Sequence, residues 1–339
     1  MSFQKEVLLG LRQSIVNYKT DDTWQAMLYK AQINNQWFEL KQTEKSIQSW
    51  LDALTDENID KWLSKYSLPL QIHGKRMGII MAGNIPFVGM HDLIVGVLTG
   101  YKVVAKCSSD DEFLPKFWIS EAAKINPIWG NQIEFSDQFK NVDAAIATGS
   151  NNSSRYFEYY FRNIPHLLRK NRNSIAVLTG NETEDELIAF GNDVFDYFGL
   201  GCRNVTKVYL PEGYEFKTLF DVWEKSHADV AFHNKYVNNY NYHKALLLMN
   251  LDPHIDAGYV LMKDRKELYS PVGMVNYEYY SNINELKAVF AEISENIQCI
   301  VSENTEITHL RLGQTQCPTL WDYADGIDTM QWAIDSISA

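Results

Sequence analysis

From about residue 71 onward, short apolar runs alternate with stretches of helical periodicity, and this alternation constrains the fold more than any other feature. Residues 77–82 read as a buried strand. A Gly83-Asn84-Ile85-Pro86 turn follows, then a helix over 89–99. Lys102 to Lys106 reads as the next strand, with a helix from Glu112. Residues 132–135 and 144–148 read as two more strands, and a helix covers 152–162. Strands separated by helices of this length form an α/β domain with a mainly parallel sheet.

A second alternating stretch begins near Asn173. Residues 174–179 read as a strand. Thr183, with Glu186 three residues on, has the form of a capping box that opens a helix. That helix runs to about Phe198 and stops at Gly199. The strand 205–210 follows, then helices over about 215–249 and 282–296. Further strands are expected at 259–262, 297–301 and 309–312. Residues 1–66 read as helices, on the spacing of Leu8, Leu11 and Ile15 and of Ile47, Trp50, Leu51 and Leu54. Trp24, Trp37, Trp50 and Trp62 are expected to pack that layer. A chain of 339 residues suggests about two domains, with the polar run Arg169–Asn173 as the boundary.

Composition narrows the function. Hydrophobic residues make up 45% and charged residues 22%, so a large core needs no disulfides or metals. A net charge of −12 argues against a nucleic-acid partner, which needs a basic face. Cys107, Cys202, Cys299 and Cys317 form no CxxC pair and share no metal-ligand spacing with histidines, so no metal is expected. No apolar stretch is long enough to span a bilayer, and the first residues lack a signal-peptide pattern. A cytoplasmic protein without membrane insertion is the expectation.

Four segments are able to carry chemistry. Cys202 lies in Phe198-Gly199-Leu200-Gly201-Cys202-Arg203-Asn204, where glycines permit close approach and Arg203 favours a thiolate. A cysteine is also commonly a small buried hydrophobe. Asn84, at the end of a strand where open α/β sheets bind ligands, carries an amide able to donate to an oxyanion; it is equally an ordinary turn residue. Lys106, Ser108 and Ser109 end the next strand and suit a ribose or phosphate, although the acidic Asp110-Asp111-Glu112 that follow fit a solvated strand end. Thr148-Gly149-Ser150 joins a strand to a helix, a place that suits a phosphate, though Ser and Asn there are also ordinary N-caps. His91, His166 and His309 lie near these motifs and read as structural. Tyr156, Phe157, Tyr159, Tyr160 and Phe161 read as core at helical spacing, or as the flank of an apolar tunnel.

In this order and spacing the segments resemble the aldehyde dehydrogenase superfamily, and more closely its LuxC-type acyl-CoA reductases. Gly313-Gln314-Thr315-Gln316-Cys317-Pro318 and Tyr323-Ala324-Asp325-Gly326-Ile327-Asp328 extend the match. The resemblance implies two Rossmann-like three-layer α/β/α domains with an N-terminal helical layer. Residues 1–172 would hold the helices and the NADP-binding domain, and 173–312 the cysteine-bearing catalytic domain. Residues 313–339 would return toward the cofactor domain, with the active site between the domains. Cys202 matches the nucleophile and Asn84 the oxyanion-hole asparagine. Lys106 matches the lysine near the adenosine ribose, and Gly149 and Ser150 match the phosphate-side turn. The implied reaction is NADPH-dependent reduction of an acyl thioester, from an acyl-CoA or an acyl-protein donor, to an aldehyde. The implied assembly is a homo-oligomer.

Two departures bear on that expectation. Many NAD-linked relatives carry Lys-Pro-Ser-Glu where this chain has Lys106-Cys107-Ser108-Ser109. Ser109 removes a carboxylate that would repel a 2′-phosphate, which favours NADPH while leaving NADH usable. The segment matching the water-activating Glu-Leu-Gly-Gly is Leu168-Arg169-Lys170-Asn171-Arg172-Asn173-Ser174, with no carboxylate. An acyl-enzyme without that base is kept for reduction. Alternatives are a semialdehyde or acyl-phosphate dehydrogenase using the same cysteine, or an inactive nucleotide-binding scaffold.

Overall fold

The computed structural model describes residues 2–69, 71–149 and 151–338, with the backbone alone for Asn151 and Asn152. The chain forms two compact units, Met1–Asn171 with Pro318–Ala339, and Arg172–Cys317. No helix among the described residues is long and apolar enough to cross a membrane.

The first unit opens with helices α1 (Phe3–Gln13), α2 (Asp22–Asn34), α3 (Leu40–Ala53) and α4 (Asp56–Leu63). Ser2, Asp21 and Thr55 cap α1, α2 and α4 by accepting first-turn amide hydrogens, which satisfies donors the helix itself leaves unpaired. Trp24 and Trp62 are buried, and Trp37 and Trp50 pack half-buried against the same core. Next come β1 (Arg76–Ile80), α5 (Met90–Leu98), β2 (Lys102–Lys106), α6 (Phe113–Ile125), α7 (Ile128–Gln132), β3 (Ile133–Phe135), β4 (Ala144–Thr148), α8 (Asn151–Phe161) and β5 (His166–Arg169). The sheet is parallel throughout, in the order β3-β2-β1-β4-β5. Strand order therefore reverses direction at β1 and β4, the point where such sheets take ligands at their carboxyl edge.

A C-terminal helix, Thr329–Asp335, returns to this unit. Its anchor is buried and ionic. Arg169 of β5 pairs with Asp92 of α5 at 2.5 Å and 3.0 Å, and donates also to Thr329 Oγ1 at 2.8 Å and the Ala324 carbonyl at 2.9 Å. The bidentate fork uses the planar geometry that a lysine lacks.

The second unit contains β6 (Asn173–Val177), α9 (Glu184–Phe195), β7 (Val205–Pro211), α10 (Phe216–His227), α11 (Asn234–Met249), β8 (Ile255–Asp256), β9 (Leu261–Asp264), β10 (Met274–Tyr280), α12 (Ile283–Glu292) and β11 (Ile297–Val301). Its sheet runs β11-β6-β7-β10-β9-β8, parallel except for the β8–β9 pair. The capping box of α9 is present as the spacing predicts, with both Thr183 and Glu186 engaged. The strand expected at 309–312 is absent. That segment is a loop, held by the Ser302 amide on the Leu310 carbonyl and the Leu312 amide on Glu303. Those isolated bonds make no ladder, so the apolar Leu310 and Leu312 are anchored without a sheet partner.

Candidate active site

Cys202 is exposed in the loop between α9 and β7. The approach to it is strained. Tyr197, Phe198 and Gly199 take φ values of 51°, 58° and 77° in succession. Glycine adopts that conformation freely, whereas each aromatic residue gives up roughly 1–2 kcal/mol. Burial of both rings offsets this, and Phe198 stacks on His233 with centroids 4.2 Å apart.

Asn204 locks the same loop from its far side. It is fully buried. Its side-chain oxygen accepts the Gly201 amide hydrogen at 2.8 Å, and its nitrogen donates to the Asp193 carbonyl at 3.1 Å and the Asp196 carbonyl at 2.8 Å. These are carbonyls at the end of α9, so one amide terminates the helix and pins the residue before Cys202. Asp193 extends the network through its carboxylate. It accepts from the Gly313 amide, the Thr315 amide and the Thr315 hydroxyl at 2.6, 3.0 and 2.7 Å. Burial raises its pKa to about 6 despite those donors. The Thr315 carbonyl in turn accepts from Arg203 at 3.3 Å. The polar ring Asp193–Thr315–Arg203–Asn204 thus fixes both neighbours of Cys202, and it ties Gly313–Cys317 to the loop. Arg203 is held by a carbonyl, and its positive charge reaches Cys299.

Ser174, at the start of β6, donates to the Cys202 carbonyl at 3.0 Å and lies 3.0 Å from Cys299 Sγ. Burial pushes the Cys299 thiol up to about 11 and the Cys107 thiol up to about 12. Both stay protonated and inert at neutral pH.

In the first unit, Asn84, Lys106 to Ser109 and Gly149 lie at or just past the ends of β1, β2 and β4, adjacent strands whose register pairs Ile80 with both Lys106 and Ala147. They therefore share one carboxyl edge. Asn84 is exposed on its turn. Lys106 is half-exposed, with its ammonium 3.8 Å from Asp137. Ser108 accepts from the Asp110 amide and starts a 3-10 turn over Ser109–Asp111, and Ser109 is exposed. Gly149 packs so closely on α8 that a β-carbon would lie 2.8 Å from the Phe157 ring. Ser150 lies outside the described residues.

Some expectations change and others hold. Asp111 is not part of a solvated strand end: it is 2% exposed, because the 3-10 turn directs it under the Asn84 turn. Asp110 and Glu112 do face solvent. Tyr156, Tyr159 and Tyr160 are exposed, and Phe161 alone of the five aromatics is fully buried. His91 is structural: its ring bonds the Leu320 carbonyl at 2.8 Å and packs against Trp62 and Tyr323, with its pKa lowered by burial. Tyr323 also accepts from Trp62 and meets the Tyr66 hydroxyl, both at 2.7 Å, and Tyr66 donates to Asp328. The Tyr323–Asp328 segment is thereby fastened to α4 and α5. Asn204, Asp193, Ser174 and Asp111 are the residues that motif reading passed over.

No protein-family model and no curated protein sequence matches the chain. Solved structures match over nearly its whole length. Aldehyde dehydrogenase 21 from Physcomitrella patens, in complex with the reaction product succinate, aligns with a TM-score of 0.67 at 11% identity, over 99% of this chain and 85% of that one. The fold is that of the aldehyde dehydrogenases. Succinic semialdehyde dehydrogenase from Streptococcus pyogenes, in complex with NADP+, gives a TM-score of 0.62 at 15% identity, over 90% of this chain and 78% of that one. A Mycobacterium tuberculosis aldehyde dehydrogenase complexed with NAD+ gives 0.58 at 12% identity, over 88% and 77%.

Proposed function

We propose that this protein is an oxidoreductase that uses NADPH to reduce an acyl thioester to an aldehyde through an acyl-Cys202 intermediate. The observation that carries the reading is the exposed Cys202 on a strained, fully stapled loop, in a chain whose 168–174 segment has no carboxylate to activate water. Arg169 in that segment is consumed by its buried pair with Asp92. The aldehyde dehydrogenase fold supports the reaction class.

Cys202 attacks the thioester carbonyl, forming a C–S bond and expelling the carrier thiol, which takes up a proton. The Cys202 amide and, by the resemblance, the Asn84 side chain would serve as oxyanion donors; loss of one such donor costs on the order of 10²–10³ in rate. Lys106, Ser108 and Ser109 supply a cation and hydroxyls at the carboxyl edge of the first sheet, a donor set that fits a phosphorylated ribose. Ser109 places no charge against a 2′-phosphate. When bound, a nicotinamide nucleotide would supply a hydride to the acyl carbon. The Cys202 sulfur then leaves as thiolate, and the aldehyde is released.

The test is NADPH oxidation dependent on acyl-CoA, across chain lengths and against NADH, with Cys202→Ala as control. Aldehyde release with loss of activity in the variant supports the reading. Full activity in Cys202→Ala sinks it. Activity confined to succinic semialdehyde would favour the dehydrogenase alternative, since two structural neighbours are described with that substrate or with succinate.

A further inference from the structure

Asn84 sits on a turn whose two flanks are clasped by one short segment. Ahead of it, Gly83 lies so close to Ser108 that a β-carbon would fall 2.4 Å from Ser108 Cβ and 3.1 Å from the Asp111 backbone nitrogen. Behind it, the Phe87 amide donates to Asp111 Oδ2 at 2.8 Å, in a buried bond. Phe87 itself takes φ 60°, a conformation an aromatic residue keeps only when its surroundings over-determine it. Its ring is fully buried, edge-on to Trp118. A second tie arrives from the helical layer: Ser46 of α3 donates to the Pro86 carbonyl at 2.8 Å.

We infer that Asp111 is the positioning residue for Asn84, acting through the Phe87 amide, with Ser46 as the second strut. The inference rests on the reading of Asn84 as an oxyanion donor. The other Asp111 oxygen is buried without a hydrogen-bond partner among the described residues. Burial pushes its pKa up to about 8, so the group is a neutral acid at pH 7, and asparagine is its close isostere. Without an acceptor, the Phe87 amide is left buried and unpaired, the left-handed turn relaxes, and the Asn84 side chain loses its aim. This also gives the N-terminal helical layer a role in the site, since Ser46 belongs to it.

The experiment is the acylation burst with p-nitrophenyl acetate, in which Cys202 displaces p-nitrophenolate without any cofactor. Asn84→Ala is expected to slow the burst about 10²-fold, the usual loss for one donor. Asp111→Ala should slow it roughly tenfold or more at saturating ester, whereas Asp111→Asn, which keeps an acceptor for Phe87, should stay within about threefold. The Asn84→Ala/Asp111→Ala double variant should be no slower than Asn84→Ala, because both act on one donor. Additive losses, or an Asp111→Asn as slow as Asp111→Ala, overturn the positioning role. Should Asp111→Ala fail to fold, Ser46→Ala replaces it in the same cycle, with the same non-additivity expected and additivity again overturning it. A wild-type protein without a burst, or an Asn84→Ala at wild-type rate, removes instead the reading of Cys202 or Asn84, and the proposal with it.

Discussion

The Asn204 side chain reaches back past Cys202 to take the Gly201 amide hydrogen at 2.8 Å, while its nitrogen closes the end of α9 on the Asp193 and Asp196 carbonyls. Replacing it with alanine removes these buried hydrogen bonds beside two left-handed aromatic residues. Asn204→Ala should lose roughly 2–4 kcal/mol of stability, read by urea denaturation. The variant that still folds should show a depressed turnover with little change in KM, because the loop, and not the substrate contacts, has moved. Unchanged turnover in a destabilised protein would reduce Asn204 to a helix stop.

Thiol reactivity should separate the cysteines. Cys299 and Cys107 are held protonated by burial, with pKa values of about 11 and about 12. Iodoacetamide at neutral pH should therefore label exposed Cys202 first in a Cys317→Ser background, as read by peptide mass spectrometry, and activity should fall in step with that label. Faster labelling of Cys299 would show that the Ser174 bond does not keep it closed.

The buried pair Arg169–Asp92 should behave non-additively. Asp92→Ala strands a guanidinium that is 6% exposed, and such a loss typically costs about 3–5 kcal/mol. Arg169→Leu should be similarly damaging, and the double variant Asp92→Ala/Arg169→Leu should recover much of the loss, because no charge is left buried. Denaturation midpoints of the three proteins decide it: a double variant as unstable as the sum of the singles would contradict the pairing.

What the amino-acid pattern reveals is the part of the fold written in apolar runs. β1, β2, β4, β7 and β11 coincide with such runs, and the capping box marks the start of α9 to the residue. β10 escaped because it is central yet polar: Asn276 and Glu278 interrupt it, and Glu278 pairs with the fully buried Lys207 of β7. β5 escaped because Arg169 at its end looks like a surface residue until Asp92 of another element is seen to receive it. The same blindness hid the supports of the site. A cysteine that follows two close glycines announces itself, but Asp193 and Asp111 act through backbone groups distant in sequence, Asn204 acts by bending back on its own loop, and nothing in an isolated Asp-Asp-Glu run says which carboxylate turns inward.

Asp111 gives that last point a measurable sign. Its folded pKa, about 8, lies above the roughly 3.9 of an unfolded aspartate. A raised pKa means the native state holds the proton more tightly, so this contribution to stability is fully present below about pH 4 and is lost as pH rises toward 8. The amide of the Asp111→Asn variant cannot titrate, so in that protein the loss does not occur. The stability of Asp111→Asn relative to wild type should thus climb between pH 5 and 8, by up to about 1.4 kcal/mol per pH unit for one proton, and level off above. Other titrating groups are common to both proteins and cancel in the difference. Urea denaturation of the pair at several pH values reads this directly: a constant gap from pH 5 to 8 would mean that Asp111 is ionised in the folded protein, and that Phe87 donates to a carboxylate.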